Sequence, residues 1–252
     1  MGPQTPEQPH SANPASAQQS ILTQDGPFGS LEAGKAAANA AGRPYVIGQL
    51  GQSLDGRIAT PTGDSRYING SCALDHLHAL RARVDAVLVG AGTVAADDPQ
   101  LNVRRTPGRS PARVVLDPSG RTGACSRWLA EDGARRILIT SMEGEAPPGC
   151  DERITIAREG GLVRPQAIAQ ALFERGLRSV LIEGGARTIS MFIDAGAMDR
   201  LHVLVAPVII GSGKQGLDLA PITALSGALR PKTNVFPFAD GDVLFDCDLR
   251  PR

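Results

Sequence analysis

Apolar residues come in short blocks through most of this chain, and the blocks follow two different periods. Tyr45 to Leu50, Ala86 to Val89, Val114 to Leu116, Ile137 to Ile139, Val180 to Ile182 and Leu201 to Val205 are near-continuous apolar runs of strand length. Such runs predict strands covered on both faces. Between them the period lengthens. Leu74, Leu77, Leu80 and Val84 fall on one helical stripe behind the capping candidates Asn69 and Ser71. Ile168, Ala171, Leu172 and Arg175 mark a second helix, which Pro165 opens and Gly176 closes. Strands alternating with helices predict an α/β fold with a mostly parallel central sheet. The stretch "VLFDCDL" from Val243 alternates with period two, which predicts an antiparallel C-terminal edge strand.

The first 42 residues show neither period. They are rich in Pro, Gln, Ser and Ala, and a disordered N-terminal tail is expected there, leaving residues 43–252 as one domain. A content of 42% hydrophobic residues in a chain of 252 is enough for one large core. Lys plus Arg (26) equals Asp plus Glu (26), so no overall field favours nucleic acid as a partner. No apolar run approaches the ~20 residues that cross a bilayer. The first basic side chain is Lys35, so neither a secretory leader nor a membrane partner is expected, and the cytoplasm is the expected location. Cys72, Cys125, Cys150 and Cys247 lack the spacing of a zinc site, and reduced thiols suit them best. His76 and His78, two apart on a helix, point to different faces, so no metal is expected.

Three glycine motifs compete for a nucleotide. In "VLVGAGTVAADDPQLNVRR", Gly90, Gly92 and Ala95 have the spacing of a dinucleotide turn. Pro99 leaves only about one helical turn after it, which is too short for that fold. In "GSGKQG", Val208 and Gln215 stand where a phosphate-binding P-loop needs Gly and Ser or Thr. "SVLIEGGARTISMFIDAG" reads as a strand, a Gly184-Gly185 turn and a helix with Ile189, Phe192 and Ile193 on one face and a Gly196 stop. On spacing alone this is either a diphosphate cradle or simply a tight turn.

"RPYVIGQLGQSLDGRIATPTGDSRYING", "LRARVDAVLVGAGTVAADDPQLNVR" and "VLIEGGARTISMFIDAGAMDRLHVLVAPVIIGSG" together resemble, in order and spacing, the RibD C-terminal domain family. These are the pyrimidine reductases of riboflavin biosynthesis, and the resemblance runs from Arg43 to the C-terminus. It implies a three-layer fold similar to dihydrofolate reductase and an NADPH-dependent reduction of the ribosyl group of a 5-phosphoribosylamino-pyrimidine to ribityl. By resemblance, Gly51, Tyr67, Thr93 and Asp97 would touch the cofactor. Gly184, Gly185, Ala186, Arg187, Thr188, Ile189 and Ser190 would hold its diphosphate. Asp117, Pro118 and Ser119 would meet the adenosine end, with Arg121 on the 2′-phosphate. Gln49, Ser65, Arg81, Leu101, Arg104 and Glu183 would form the substrate pocket, Glu183 being the residue assigned to catalysis. A homodimer is also implied.

Two positions depart from the family pattern. Gln49 stands where the fused bacterial enzymes usually carry Lys, and an amide cannot carry a charge or a proton. Tyr67 stands where many relatives have Trp. The zinc deaminase half found in the fused enzymes is not expected, since neither H-x-E nor P-C-x-x-C occurs in the sequence. Taken singly, the same residues have simpler readings. Asp55-Gly56 suits a turn, Asp98 a cap, Arg81 and Arg83 a solvated helix, and Glu183 a cap on the helix after it. A dihydrofolate-reductase-like enzyme acting on another pteridine or pyrimidine, or a catalytically silent nucleotide-binding module, would share the pattern.

Overall fold

The computed structural model describes residues 26–123 and 125–250. Its main sheet has nine strands: β1 (Tyr45–Ser53), β3 (Ala86–Gly90), β4 (Ala112–Leu116), β5 (Arg136–Thr140), β6 (Glu152–Thr155), β7 (Ser179–Glu183), β8 (Arg200–Ala206), β10 (Lys232–Pro237) and β11 (Val243–Asp248). They lie in the order β10-β11-β8-β1-β7-β3-β4-β5-β6. From β8 to β6 all neighbours are parallel, whereas β11 runs antiparallel to both β8 and β10. The antiparallel edge is thus a pair, and β10 rather than the C-terminal strand is outermost. Two short strands, β2 (Arg57–Ala59) and β9 (Lys214–Gln215), form a separate ribbon.

The apolar runs are continuous because successive side chains feed two different cores. Val46, Leu88, Val180 and Ile182 pack on one face beneath α4 (Pro165–Glu174) and α5 (Ala186–Asp194). Ile47, Val87, Val89 and Leu181 pack on the other, with α1 (Leu31–Ala40), α2 (Ser71–Arg81) and α3 (Ala91–Asp97). Pro165 occupies the first turn of α4, and Gly176, with φ +79, follows its end, as the sequence predicts.

Four local expectations need correction. Residues 1–25 of the expected tail lie outside the described residues, but residues 26–42 are ordered and contain α1. Leu31 and Ala38 of this helix are buried, and Gly34 lets it close on Tyr45: a Cβ there would lie 2.6 Å from the Tyr45 ring. Phe28 stacks on His76 at 4.9 Å, with the Arg83 guanidinium 4.4 Å from the Phe28 ring centroid on the same segment. The α2 stripe is also different. Leu80 and Val84 are buried, but Leu74 and Leu77 are half-buried because they face a cavity. Neither Asn69 nor Ser71 caps α2. Asp242 accepts the Gly70 amide at 2.9 Å and Asp240 the Cys72 amide at 2.8 Å, so the cap comes from the β10–β11 turn. Finally, α3 spans seven residues, about two turns, before Asp98 enters the left-handed region at φ 39 ahead of Pro99.

Burial of Leu31 makes α1 part of the folding unit. Leu31→Ala should lower the unfolding free energy by about 2–5 kcal/mol in a urea titration. An unchanged midpoint would show that α1 is not docked in solution.

Candidate active site

Parallel strands point their carboxyl ends to the same edge, and ligands of open α/β sheets gather there. At that edge lie two adjoining cavities of about 510 and 580 Å3. Ile58, Ser65, Thr93, Asp97 and Gly185 line both, so the two form one cleft.

The first cavity is built on close-packed helix starts. Gly184 and Gly185 have φ of 55 and 68, which favours glycine, and they turn β7 directly into α5. A Cβ on Gly90 would lie 2.7 Å from Thr188 Oγ1, and one on Gly185 would lie 3.0 Å from Thr93 Oγ1. The glycines after β3 and β7 therefore let α3 and α5 begin side by side, with their first-turn amides at the cavity wall. Arg121, Arg158, Arg187 and Lys214 line the same space. The charge and the amides suit an extended polyanion.

The second cavity has a charged floor. Arg81 Nε and Nη2 donate to Glu183 at 2.6 and 2.5 Å, and both side chains are buried. Arg81 Nη1 also donates to the Asn102 carbonyl at 2.9 Å. Each charge thereby neutralises the other. Arg104 is different: its guanidinium has only the Asn102 side-chain oxygen, at 3.0 Å, as a partner among the described residues. Burial, with Arg81, Arg127 and Arg105 nearby, pushes its pKa down from the ordinary value. That is an environment short of an anion. His78 feels the same surroundings. Burial first, then Arg81, Arg104 and Arg105, lower its pKa to about 4, and its Nδ1 accepts the Arg104 amide at 3.2 Å.

Most residues expected at the site do line this cleft. Thr93, Asp97, Pro118, Ser119, Arg121, Gly185, Ala186, Arg187 and Thr188 face the first cavity. Gln49, Gly51, Ser65, Tyr67, Arg81, Leu101, Arg104 and Gly184 face the second. Four do not. Asp117 is buried and accepts the Thr122 amide and hydroxyl at 2.7 and 2.8 Å, so it shapes a turn rather than meeting a ribose. Ile189 belongs to the core, and Ser190 Oγ is occupied by the Asp218 amide at 2.8 Å. Glu183 lies behind Arg81 and not on the cavity wall, so it is neither a helix cap nor an open acceptor.

Other residues at the cleft were not apparent from sequence. Asn69 donates to the Leu204 carbonyl at 3.3 Å and to Asp242 at 3.2 Å, and its Oδ1 takes the place a Cβ on Gly51 would need. Gly51 is thus required by Asn69. Arg158 and Arg127 arrive from distant connections with no motif to announce them, and Lys214 comes from β9, within the GSGKQG stretch. Asp55 is the expected turn former. It accepts Ser53 Oγ at 2.6 Å and the Gly211 amide at 2.7 Å, bonds that pull its carboxyl down to about 2 and tie the β1–β2 turn to the segment before β9. Among the described residues no group of three metal-ligating side chains converges, and the four cysteines are unbridged.

Residues 44–233 match the RibD C-terminal domain. The chain belongs to that family. It is 36% identical over 181 residues to the riboflavin biosynthesis protein RibD of Aquifex aeolicus, covering 70% of this chain and 50% of that one. This RibD C-terminal domain protein therefore spans about half the length of that relative. It is also 36% identical over 180 residues to the 2,5-diamino-6-ribosylamino-4(3H)-pyrimidinone 5′-phosphate reductase of Methanothermobacter thermautotrophicus, with 67% and 80% of the two chains covered. The solved structure of Acinetobacter baumannii RibD superposes with a TM-score of 0.76 at 30% identity, over 87% of this chain and 62% of that one.

The histidines under and behind the site set a pH dependence. His76 Nε2 and His202 Nδ1 are 2.9 Å apart in the interior, and burial lowers both pKa values, as it does for His78. The unfolded chain, with histidines near pH ~6.5, takes up protons first, so stability is full above that pH and is lost as the pH falls through it. The melting temperature should drop between pH 7 and pH 5, and His78→Gln should shrink the drop. A flat profile over that range would contradict the buried neutral histidines.

Proposed function

We propose that this RibD C-terminal domain protein is an NADPH-dependent reductase that converts the ribosyl group of a 5-phosphoribosylamino-pyrimidine to ribityl. One observation carries the reading: a single cleft joins a wall of helix-start amides and cations to a compact pocket with an under-neutralised arginine. A long dianionic cofactor suits the first part, and a small phosphorylated ring suits the second. The name of the Methanothermobacter relative supports the same substrate class.

The fit to NADPH rests on the wall itself. Amides at Gly185 to Thr188 would hold the diphosphate, with Arg187 and Lys214 adding charge, and Arg121 would favour a 2′-phosphate. When bound, the cofactor supplies a hydride for the first sugar carbon, which presents an imine once the ring opens. The protein's part is mostly placement and exclusion of water. Arg104 would take the substrate phosphate. Gln49 would face the heterocycle with a neutral amide able to donate and accept, whereas Asn69, whose NH2 is donated to Leu204 and Asp242, would offer only its oxygen. Glu183 would act through Arg81, holding its guanidinium flat against the pocket, and not as an acid or base.

The four unbridged cysteines support a reducing, cytoplasmic setting. A homodimer is supported by the exposed apolar side chains Ile209, Ile222, Leu225 and Leu229 on the segment between β8 and β10.

NADPH oxidation should proceed with the deaminated or the undeaminated pyrimidine phosphate and not with dihydrofolate. Arg104→Gln should lower kcat/KM by about ten- to hundredfold, the worth of a charge-assisted hydrogen bond, with NADPH affinity nearly unchanged. Turnover of dihydrofolate alone, or cofactor binding without any turnover, would replace this reading.

A further inference from the structure

A hairpin that no sequence motif marks walls the far end of the first cavity. Glu159 and Leu162 pair across it, and Gly160 and Gly161 reverse the chain at φ of 60 and 84. Leu162 is 49% exposed although large and apolar, and it lines the cavity together with Leu116 and Met191. All three put apolar surface on the wall of that cavity, which suits a flat ring.

Arg158, at the base of the hairpin, reaches across to the turn after β4. Its Nη2 donates to the Pro118 carbonyl at 2.5 Å and to Ser119 Oγ at 2.8 Å. That accounts for two of the five N–H donors of a guanidinium. Nη1 and Nε have no partner among the described residues, and neither has the guanidinium of Arg121 on the same wall. The hairpin's own acid, Glu159, is engaged by Arg164 at 3.2 Å. Arg158 and Arg121 thus both line this cavity with guanidinium donors left open among the described residues.

We propose that Arg158 and Arg121 jointly hold a phosphomonoester on an adenosine ribose whose base lies on Leu162, which makes Arg158 a specificity-determining residue for a 2′-phosphorylated cofactor. The assignment rests on the reductase reading above and adds the hairpin to it. Arg158 contributes twice, since its tether also fixes the Pro118-Ser119 turn that carries Arg121.

Calorimetric titration of the full chain with adenosine 2′,5′-bisphosphate and with adenosine 5′-monophosphate isolates the 2′-phosphate. The unaltered protein should bind the bisphosphate more tightly. Arg158→Ala should weaken bisphosphate binding about ten- to hundredfold and the monophosphate much less, so that the preference for the bisphosphate narrows. Arg158→Lys, which keeps the charge but not the fork, should fall between. Leu162→Asp should weaken both nucleotides. If both bind the unaltered protein and neither Arg158 variant moves their ratio, the proposal fails while the cofactor reading stands. If neither nucleotide binds the unaltered protein, the cofactor reading fails and the proposal with it.

Discussion

The cleft depends on one buried contact, the two-pronged ion pair of Arg81 with Glu183. Arg81 is the last residue of α2 and Glu183 the last of β7, so the pair locks a helix end to the strand that feeds the Gly184-Gly185 turn. Neither charge tolerates burial alone, and losing one partner leaves the other stranded at a cost of about 3–5 kcal/mol. Through Nη1, Arg81 also holds the Asn102 carbonyl, and Asn102 in turn holds Arg104. The position of the open cation in the second cavity is therefore inherited from the pair beneath it.

Sheet order does the rest. β7 lies between β1 and β3, so Gly51 near the end of β1, Gly90 at the end of β3 and Gly184 just after β7 lie along one edge. Gln49 is the register partner of Glu183, which sets an open amide beside the buried ion pair. On either side the glycines permit close approach, to Asn69 at Gly51 and to Thr188 at Gly90. The charged wall of the first cavity is assembled from four separate connections, and only the sheet brings them together.

What the sequence made legible follows from these constraints. Strands buried on both faces leave unbroken apolar runs, which is why all six that were expected exist. The Ala-rich α1 offered a single large apolar residue, Leu31, and its docking relies on small residues meeting Tyr45, so it passed for a tail. Family resemblance placed Thr93, Arg104 and Gly185 on the cleft. It could not show that Asp117, Ile189 and Ser190 turn inward, because their roles are set by a local turn to Thr122, by the core and by the distant Asp218. Arg158 reaches the cleft through loop placement alone and leaves no periodic or spacing signal.

The central claim is that Glu183 serves the site as the counter-ion of Arg81 and not as an independent carboxylate. A double-mutant cycle of unfolding free energies on Arg81→Met, Glu183→Met and the double variant tests it most directly. Each single change should cost about 3–5 kcal/mol, and the double variant should recover most of that loss, since an apolar pair of similar volume replaces a buried ion pair at little cost. Strictly additive losses, or a Glu183→Met protein as stable as the original, would contradict the account.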